Sequence, residues 1–189
     1  MLRRLVLLAL VAAVLLVADL VAEQRAEQTV AAAVESRVER VGSVDAAIMS
    51  FPFLGRLGAT GEVSQLRLHL REVAEQGVEV EVLTVDARGI RLSRAVLLGE
   101  SRVRITDVDT VTATLRVADD EVRRVTGGMV LPDGPVTVPA ALAPIVAATE
   151  LLPCEPQVRI AAGAVVASCA ADRLPRIVVD AIGSAELRG

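Results

Sequence analysis

The sequence predicts an α+β fold, with one long N-terminal helix ahead of an antiparallel sheet. Two observations carry this. Between Val21 and Val41, apolar residues recur at three- and four-residue steps: Ala22, Ala26, Val30, Ala33, Val34, Val38 and Val41. From Ser43 onward the period changes to two, in one segment after another. Half-polar strands that follow each other in sequence argue an antiparallel sheet with one wet face.

The helix carries Glu23, Gln24, Glu27, Gln28, Glu35, Arg37 and Arg40 on its other side, and Gly42-Ser43 end it. Its apolar stripe is thin and made of small residues, so it can lie close against a neighbour. Residues 43–50 form a first, weak strand. Phe51-Pro52-Phe53-Leu54 follows, with Gly55, Gly58 and Gly61 behind it, and reads as a turn or short irregular region. From Glu62 to Arg71 the chain alternates, with Leu66, Leu68 and Leu70 on one face and Arg67, His69 and Arg71 on the other. Alternation returns from Val78 to about Asp86, from Arg102 to Thr106 and from Val111 to Leu115. Asp119 to Thr126 predicts a short helix, acidic in its first turn and stopped by Gly127-Gly128. Pro132-Asp133-Gly134-Pro135 reads as a turn between two short strands. A hairpin containing the cysteines comes next, and Leu174 to Ile182 predicts a last helix with Pro175 in its first turn. No internal repeat or long linker divides the chain after Val21. Residues 1–20 are set apart as an export segment, and residues 21–189 form a single domain.

Composition excludes several partners. All 20 basic residues are arginine, and Lys, Asn, Tyr and Trp are absent, which reads as GC-rich coding bias. The net charge of −4 gives no basic surface for nucleic acid. It gives none for bulk attraction to anionic lipid either. Hydrophobic residues reach 53% of the chain, a figure raised by the N-terminus.

That N-terminus is an export or anchor segment. Arg3 and Arg4 precede an unbroken apolar run from Leu5 to Ala18, and Asp19 ends it. As a helix the run spans about 21 Å, short of the ~30 Å hydrocarbon core. Its length fits a signal-peptide h-region or a short signal anchor. Cleavage after Ala22 would set Leu20 at the −3 position, so an uncleaved anchor is the favoured reading. Arg3 and Arg4 then stay inside and the bulk of the chain is exported to the periplasmic side of the plasma membrane. The competing reading is a buried core helix of a cytosolic protein.

Export permits a disulfide between the two cysteines, Cys154 and Cys169. A turn centred on Ala161 and Ala162 sets them directly opposite. A turn centred on Ala162 and Gly163 suits a primed hairpin better and makes the pairing diagonal. Cys154, between Pro153 and Pro156, sits just outside the ladder and can adjust in either case. Two thiols without clustered histidine make a poor metal set, and the spacing lacks C-x-x-C. Neither a metal nor another cofactor is expected.

No catalytic constellation emerges. His69, the lone histidine, sits on a polar strand face between Arg67 and Arg71. The chain has neither a G-x-S-x-G elbow nor a phosphate loop with Gly-Lys-Ser/Thr. Asp107-Val108-Asp109 reads as a solvated turn at a strand end, not a metal site. Arg88, Arg91, Arg94, Arg123 and Arg124 are within the repertoire of lipid-phosphate contacts, but solvated surface charge is the favoured reading of them. The chain is expected not to be an enzyme.

Phe51 and Phe53 are the only aromatic residues. Pro52 fixes its own φ and pushes Phe51 toward an extended conformation, so both rings are expected to point roughly the same way. They then plug the end of a sheet–helix core, or form a lip at a membrane interface or a lipid cavity.

The block Phe51-Pro-Phe-Leu-Gly-Arg-Leu57, then Gly61-Glu-Val and a Leu/His strand, resembles the actinobacterial LmeA-like phospholipid-binding family. Val82-Leu-Thr-Val-Asp-Ala-Arg-Gly-Ile-Arg91 resembles a second block of that family, and Leu152-Pro-Cys-Glu-Pro with Cys169 a third. The resemblance covers about Val21 to Ile182. It implies a tubular lipid-binding (TULIP-like) architecture, with a curved antiparallel sheet wrapping the long helix around an aliphatic cavity. It implies phospholipid binding in the cell envelope, in support of mannose-containing (lipomannan-type) glycolipid elongation. Phe51, Phe53, Leu54, Leu66, Leu68 and Leu70 are the candidate lipid-binding residues. The alternative function is a membrane-tethered interaction module with a solid core and no ligand, recruiting an unknown protein partner.

Overall fold

Helix α1 (Leu2–Glu35) carries the apolar run and the amphipathic segment as one uninterrupted rod. Its 34 residues span about 51 Å. The structure, a computed structural model, describes residues 2–36, 38, 40–75, 77–93, 105–129, 131–135, 142–176 and 178–180. The expected stripe is the buried one: Val34 is fully buried, and Ala22, Ala26, Val30, Ala33, Val38 and Val41 pack against the core. The helix ends six residues before Val41. Gly42 already donates to the Arg71 carbonyl and Arg40 accepts from the Ala74 amide, so this stretch has joined the sheet ladder.

The sheet has seven antiparallel strands in the order β1-β2-β3-β4-β7-β6-β5, curved and unclosed. They are β1 (Ser43–Ile48), β2 (Glu62–Glu75), β3 (Val78–Leu92), β4 (Ile105–Val117), β5 (Gly134–Pro135), β6 (Gln157–Ala161) and β7 (Ala164–Ala171). Further helices among the described residues include α2 (Phe53–Thr60), α3 (Asp119–Thr126) and α4 (Ala143–Ala148). The fold is thus α+β, as the residues predict, and agrees with a TULIP-like lipid-binding fold.

The central strands outrun their sequence pattern. In β2 the buried positions are Val63, then Leu66, Leu68 and Leu70, then Val73, so the alternation slips by one residue at each end. In β3 it slips between Val80 and Leu83 and again between Ala87 and Ile90. The alternation expected to end near Arg71 and Asp86 thus breaks inside β3 already, between Val80 and Leu83, and the strands run on to Glu75 and Leu92. The same slip corrects the reading of Asp107-Val108-Asp109. This stretch is not a turn: it lies inside β4, with Val108 buried and both carboxylates exposed.

Two other loop expectations are corrected. Phe53–Thr60 is the helix α2, closed by Gly61 in the left-handed region (φ 69°), whose N–H meets the Leu57 carbonyl. Gly134 and Pro135, expected inside a turn, form β5 and pair with Ile160 and Arg159. Helix α4 had no counterpart in the expected elements, yet its surroundings give the core Leu142, Ile145 and Ala148. The predicted last helix is present at Arg176 and 178–180, while residues 181–182 lie outside the described residues. So do Arg94 and residues 101–104.

Of the two hairpin registers, the diagonal one is found. Ala161 pairs with Ala164 across Ala162 and Gly163, both at positive φ (51° and 78°). Gln157–Ser168 is the outermost pair, so Cys154 stands outside the ladder and reaches Cys169 in a disulfide at 6.0 Å Cα–Cα.

Candidate functional site

The inner face of the sheet is a continuous aliphatic surface. Leu68 faces Ala46 on β1 and Val85 on β3; Val85 faces Ala113 on β4, and Ala113 faces Cys169 on β7. One row away, Ile48, Leu66, Ala87 and Val111 align, and on the other side Val44, Leu70, Leu83, Leu115 and Ala167. The stripe of α1, together with Leu142, Ile145, Leu152, Leu174 and Val178, completes the core. Among the described residues, the buried polar side chains are Asp19, Ser50, Glu121 and Thr149. None of these belongs to the aligned rows.

Leu66, Leu68 and Leu70 are thus brought together as expected, on one strand and fully inside. The Phe segment is not brought together in that way. Phe53 is 6% exposed and Phe51 is 65% exposed. The expectation that both rings share a direction is overturned, because the segment does not stay extended: α2 begins at Phe53 and turns its ring inward. Leu54, the next residue on α2, points out to solvent. The Phe51–Pro52 peptide is cis.

What fixes this segment is a residue that local sequence could not nominate. Asp19 is 4% exposed. Its two oxygens accept the N–H groups of Phe53 at 2.9 Å and of Leu54 at 2.6 Å. They serve as the acceptor that Pro52 at the N-cap does not provide. Two turns further on, Glu27 accepts the N–H of Ile48 at 2.7 Å, tying α1 to the edge strand β1. The sequence signal was present only as an interruption: an acid closing an apolar run.

The wet face of the sheet is laced with ion pairs. Asp86 accepts from Gln65 at 2.7 Å and from Arg67 at 3.0 Å, with Arg88 nearby at 3.4 Å. Burial alone raises its carboxyl, but the Arg67 and Gln65 hydrogen bonds and the charges of Arg67 and Arg88 outweigh this and hold it below the usual value. Arg91 bridges Asp107 and Asp109. Arg123 pairs with Asp119 at 2.7 Å. Glu121, nearly buried, receives Arg124 and the N–H of Glu79, and Arg124 also donates to the Gly77 carbonyl. The Arg124 hydrogen bond lowers the Glu121 carboxyl against an opposing burial effect, and the Glu79 amide adds to the lowering. His69 lies half-buried beside Thr84 (3.2 Å). The described arginines considered for phosphate contact are therefore each engaged with an acid of the chain. Among the described residues, no group of three or more His, Cys, Asp or Glu is placed to hold a metal.

At the other end of α1, Leu10, Val14, Leu15, Leu16, Val17, Leu20 and Val21 are exposed. No helix of the described residues is long and apolar enough to cross a membrane. Met49, Phe51 and Leu54 add exposed apolar surface where the body meets this helix.

No curated protein and no solved structure matches the chain significantly. A family model does. It matches residues 17–185, which takes in the Phe segment, the aliphatic inner face and both cysteines, and on that match the chain belongs to the LmeA-like phospholipid-binding family.

Proposed function

We propose that the chain is an exported envelope protein that holds phospholipid acyl chains against the inner face of its sheet, tethered by the N-terminal part of α1. The observation that carries this reading is the inner face itself. Aligned rows of Leu, Val and Ala cross the strands without a polar side chain, opposite an α1 stripe made of Ala and Val. The small side chains of α1 let an acyl chain lie over the Leu-rich strands once helix and sheet part. Leu66, Leu68 and Leu70 would contact the chain, with Phe53 closing the end near Asp19 and Phe51 and Leu54 outside at the rim. The disulfide supports an oxidising, exported location. We read the protein as a lipid-handling component without catalysis, serving envelope glycolipid assembly of the lipomannan type.

A second reading has its own observation. Leu68 and Leu70 are already sealed by protein, at 0% and 1% exposure. That favours a tethered interaction module with a solid core.

One experiment separates them. The full chain is reconstituted with a phospholipid carrying a photoreactive diazirine on its acyl chain, irradiated and mapped by peptide mass spectrometry. Crosslinks on the inward residues of β2, β3 and β4 are expected. Crosslinks confined to α1 and the Phe51–Leu54 rim would leave only the solid-core reading.

A further inference from the structure

Four consecutive residues of α1, Val14 to Val17, are exposed, and four residues go once round a helix. A helix that is apolar on every side wants apolar surroundings on every side. A groove on a protein partner covers one face; lipid covers all of them. Leu15 and Leu16 lie on the Asp19 side of α1, one turn earlier. They are exposed whereas Asp19 is buried against α2, so the edge of the folded body falls between them.

The residues at that edge are the exposed Met49, Phe51 and Leu54. Phe51 and Leu54 cannot drift from it, because the Phe53 and Leu54 amides are held by Asp19. The outward side of α2 continues the surface with Gly55, Gly58 and Ala59; its single charge, Arg56, is paired with Glu62 at 3.7 Å and donates to Ser64. Along α1 no charged residue lies between Arg4 and Glu23 except the buried Asp19. The apolar run spans about 21 Å against a hydrocarbon core of ~30 Å. A span shorter than the hydrocarbon core is accommodated by local thinning of the bilayer, which brings the lipid surface to the apolar base beside it.

We propose that this base is a bilayer-docking surface: Phe51 and Leu54 sink among the acyl chains just beneath the phosphates. It rests on the reading of α1 as a membrane anchor, and goes beyond it. The anchor alone, continuous with α1, leaves the body free to spin about the helix axis and to tilt with it. The Asp19 clamp and the docked base fix its orientation, with the Phe53 end of the core against the lipid.

The chain has no Trp and no Tyr, so Phe51→Trp gives a reporter without background. The full-length variant is reconstituted in phosphatidylcholine–phosphatidylglycerol vesicles, and flotation verifies that it is bound. The expected result is a blue-shifted emission, weak quenching by iodide, and at least twofold quenching by lipids brominated near the headgroup end of the chain. Ala170→Trp, on the exposed side of β7, should stay water-like in the same vesicles. Water-like, iodide-quenched emission from Phe51→Trp in a floated chain overturns the docking. A blue shift without bromolipid quenching overturns it too, and assigns the base to a second copy of the chain. A chain that does not float overturns it together with the anchor. Inner-face crosslinking is read separately: bromolipid quenching without inner-face crosslinks leaves the docking standing and removes acyl-chain binding in the core.

Discussion

The carboxylate of Asp19 accepts the backbone N–H of Phe53 at 2.9 Å, across 34 residues of sequence. Its other oxygen takes Leu54. Both amides belong to the first turn of α2, where donors have no partner within the helix. Asp19→Ala leaves them without that acceptor, the Phe53 amide in a buried site and the Leu54 amide in a part-buried one. It should lower the unfolding free energy by about 1–3 kcal/mol, measured by urea denaturation. Asp19→Asn keeps one carbonyl oxygen and should cost less. Amide exchange at Phe53 and Leu54 should accelerate in Asp19→Ala before the sheet amides do. Wild-type exchange at both positions would show that the clamp does not hold α2.

The two phenylalanines should now behave differently. Phe53→Ala removes a buried ring and should cost about 3–5 kcal/mol, whereas Phe51→Ala, on the surface, should stay within ~0.5 kcal/mol. Thermal melts of the two variants decide it. Equal losses would mean that both rings plug the core.

The split was not legible in the sequence. Pro52 and three nearby glycines argue against a helix, and Gly is costly inside one. The acceptor that rescues α2 sits on another element, so no local pattern contains it. The amphipathic stripe of α1, the leucine row of β2 and the limits of α3 were legible, because each is a periodicity or a cap of the segment itself. The reach of β2, β3 and β4 was not. At the slips near Val63, Val73 and Val108 burial is decided by what packs over the strand, and the period of two is lost. Helix α4 was hidden for a related reason: Pro144 lies in its first turn and few residues follow to display a period.

Leu68 is the central residue of the aliphatic face, paired with Ala46 and Val85. Leu68→Ala should destabilise by about 2–5 kcal/mol. Leu68→Asp should do more, and should abolish inner-face crosslinking to a photoreactive phospholipid. Leu68→Met, close in volume, should cost under about 1.5 kcal/mol and retain the crosslinks. Retained stability and crosslinks in Leu68→Asp would remove this residue from the core and from the lipid.

Stability should fall on the acid side. Glu121 is held below its ordinary value of 4.5 by the Arg124 hydrogen bond against burial, with the Glu79 amide helping. Asp86 sits below 3.8 because the Arg67 and Gln65 hydrogen bonds and two arginine charges outweigh burial. In both cases the folded carboxyl binds its proton less readily than the unfolded one. Their stabilisation is therefore complete above the ordinary values and is lost as pH falls through them toward the lower folded values. Urea midpoints should be flat from pH 7 to about 5 and drop below. Glu121→Gln should make that drop shallower; an unaltered slope would mean the Arg124 pair does not couple to folding.

Gly89 is the tightest close approach on the wet face. It sits at φ 62°, and a Cβ there would overlap the Asp109 side chain down to its own Cβ. Asp109 is in turn held by Arg91 at 2.7 Å. Gly89→Ala meets two separable costs. The left-handed backbone costs about 1 kcal/mol, and displacing Asp109 from Arg91 adds a steric part. In an Asp109→Ala background the steric part should largely vanish while the backbone part remains. A double-mutant cycle by urea denaturation should therefore show a coupling of about 0.5–2 kcal/mol. Strict additivity would mean that Gly89 is required by its backbone angle alone.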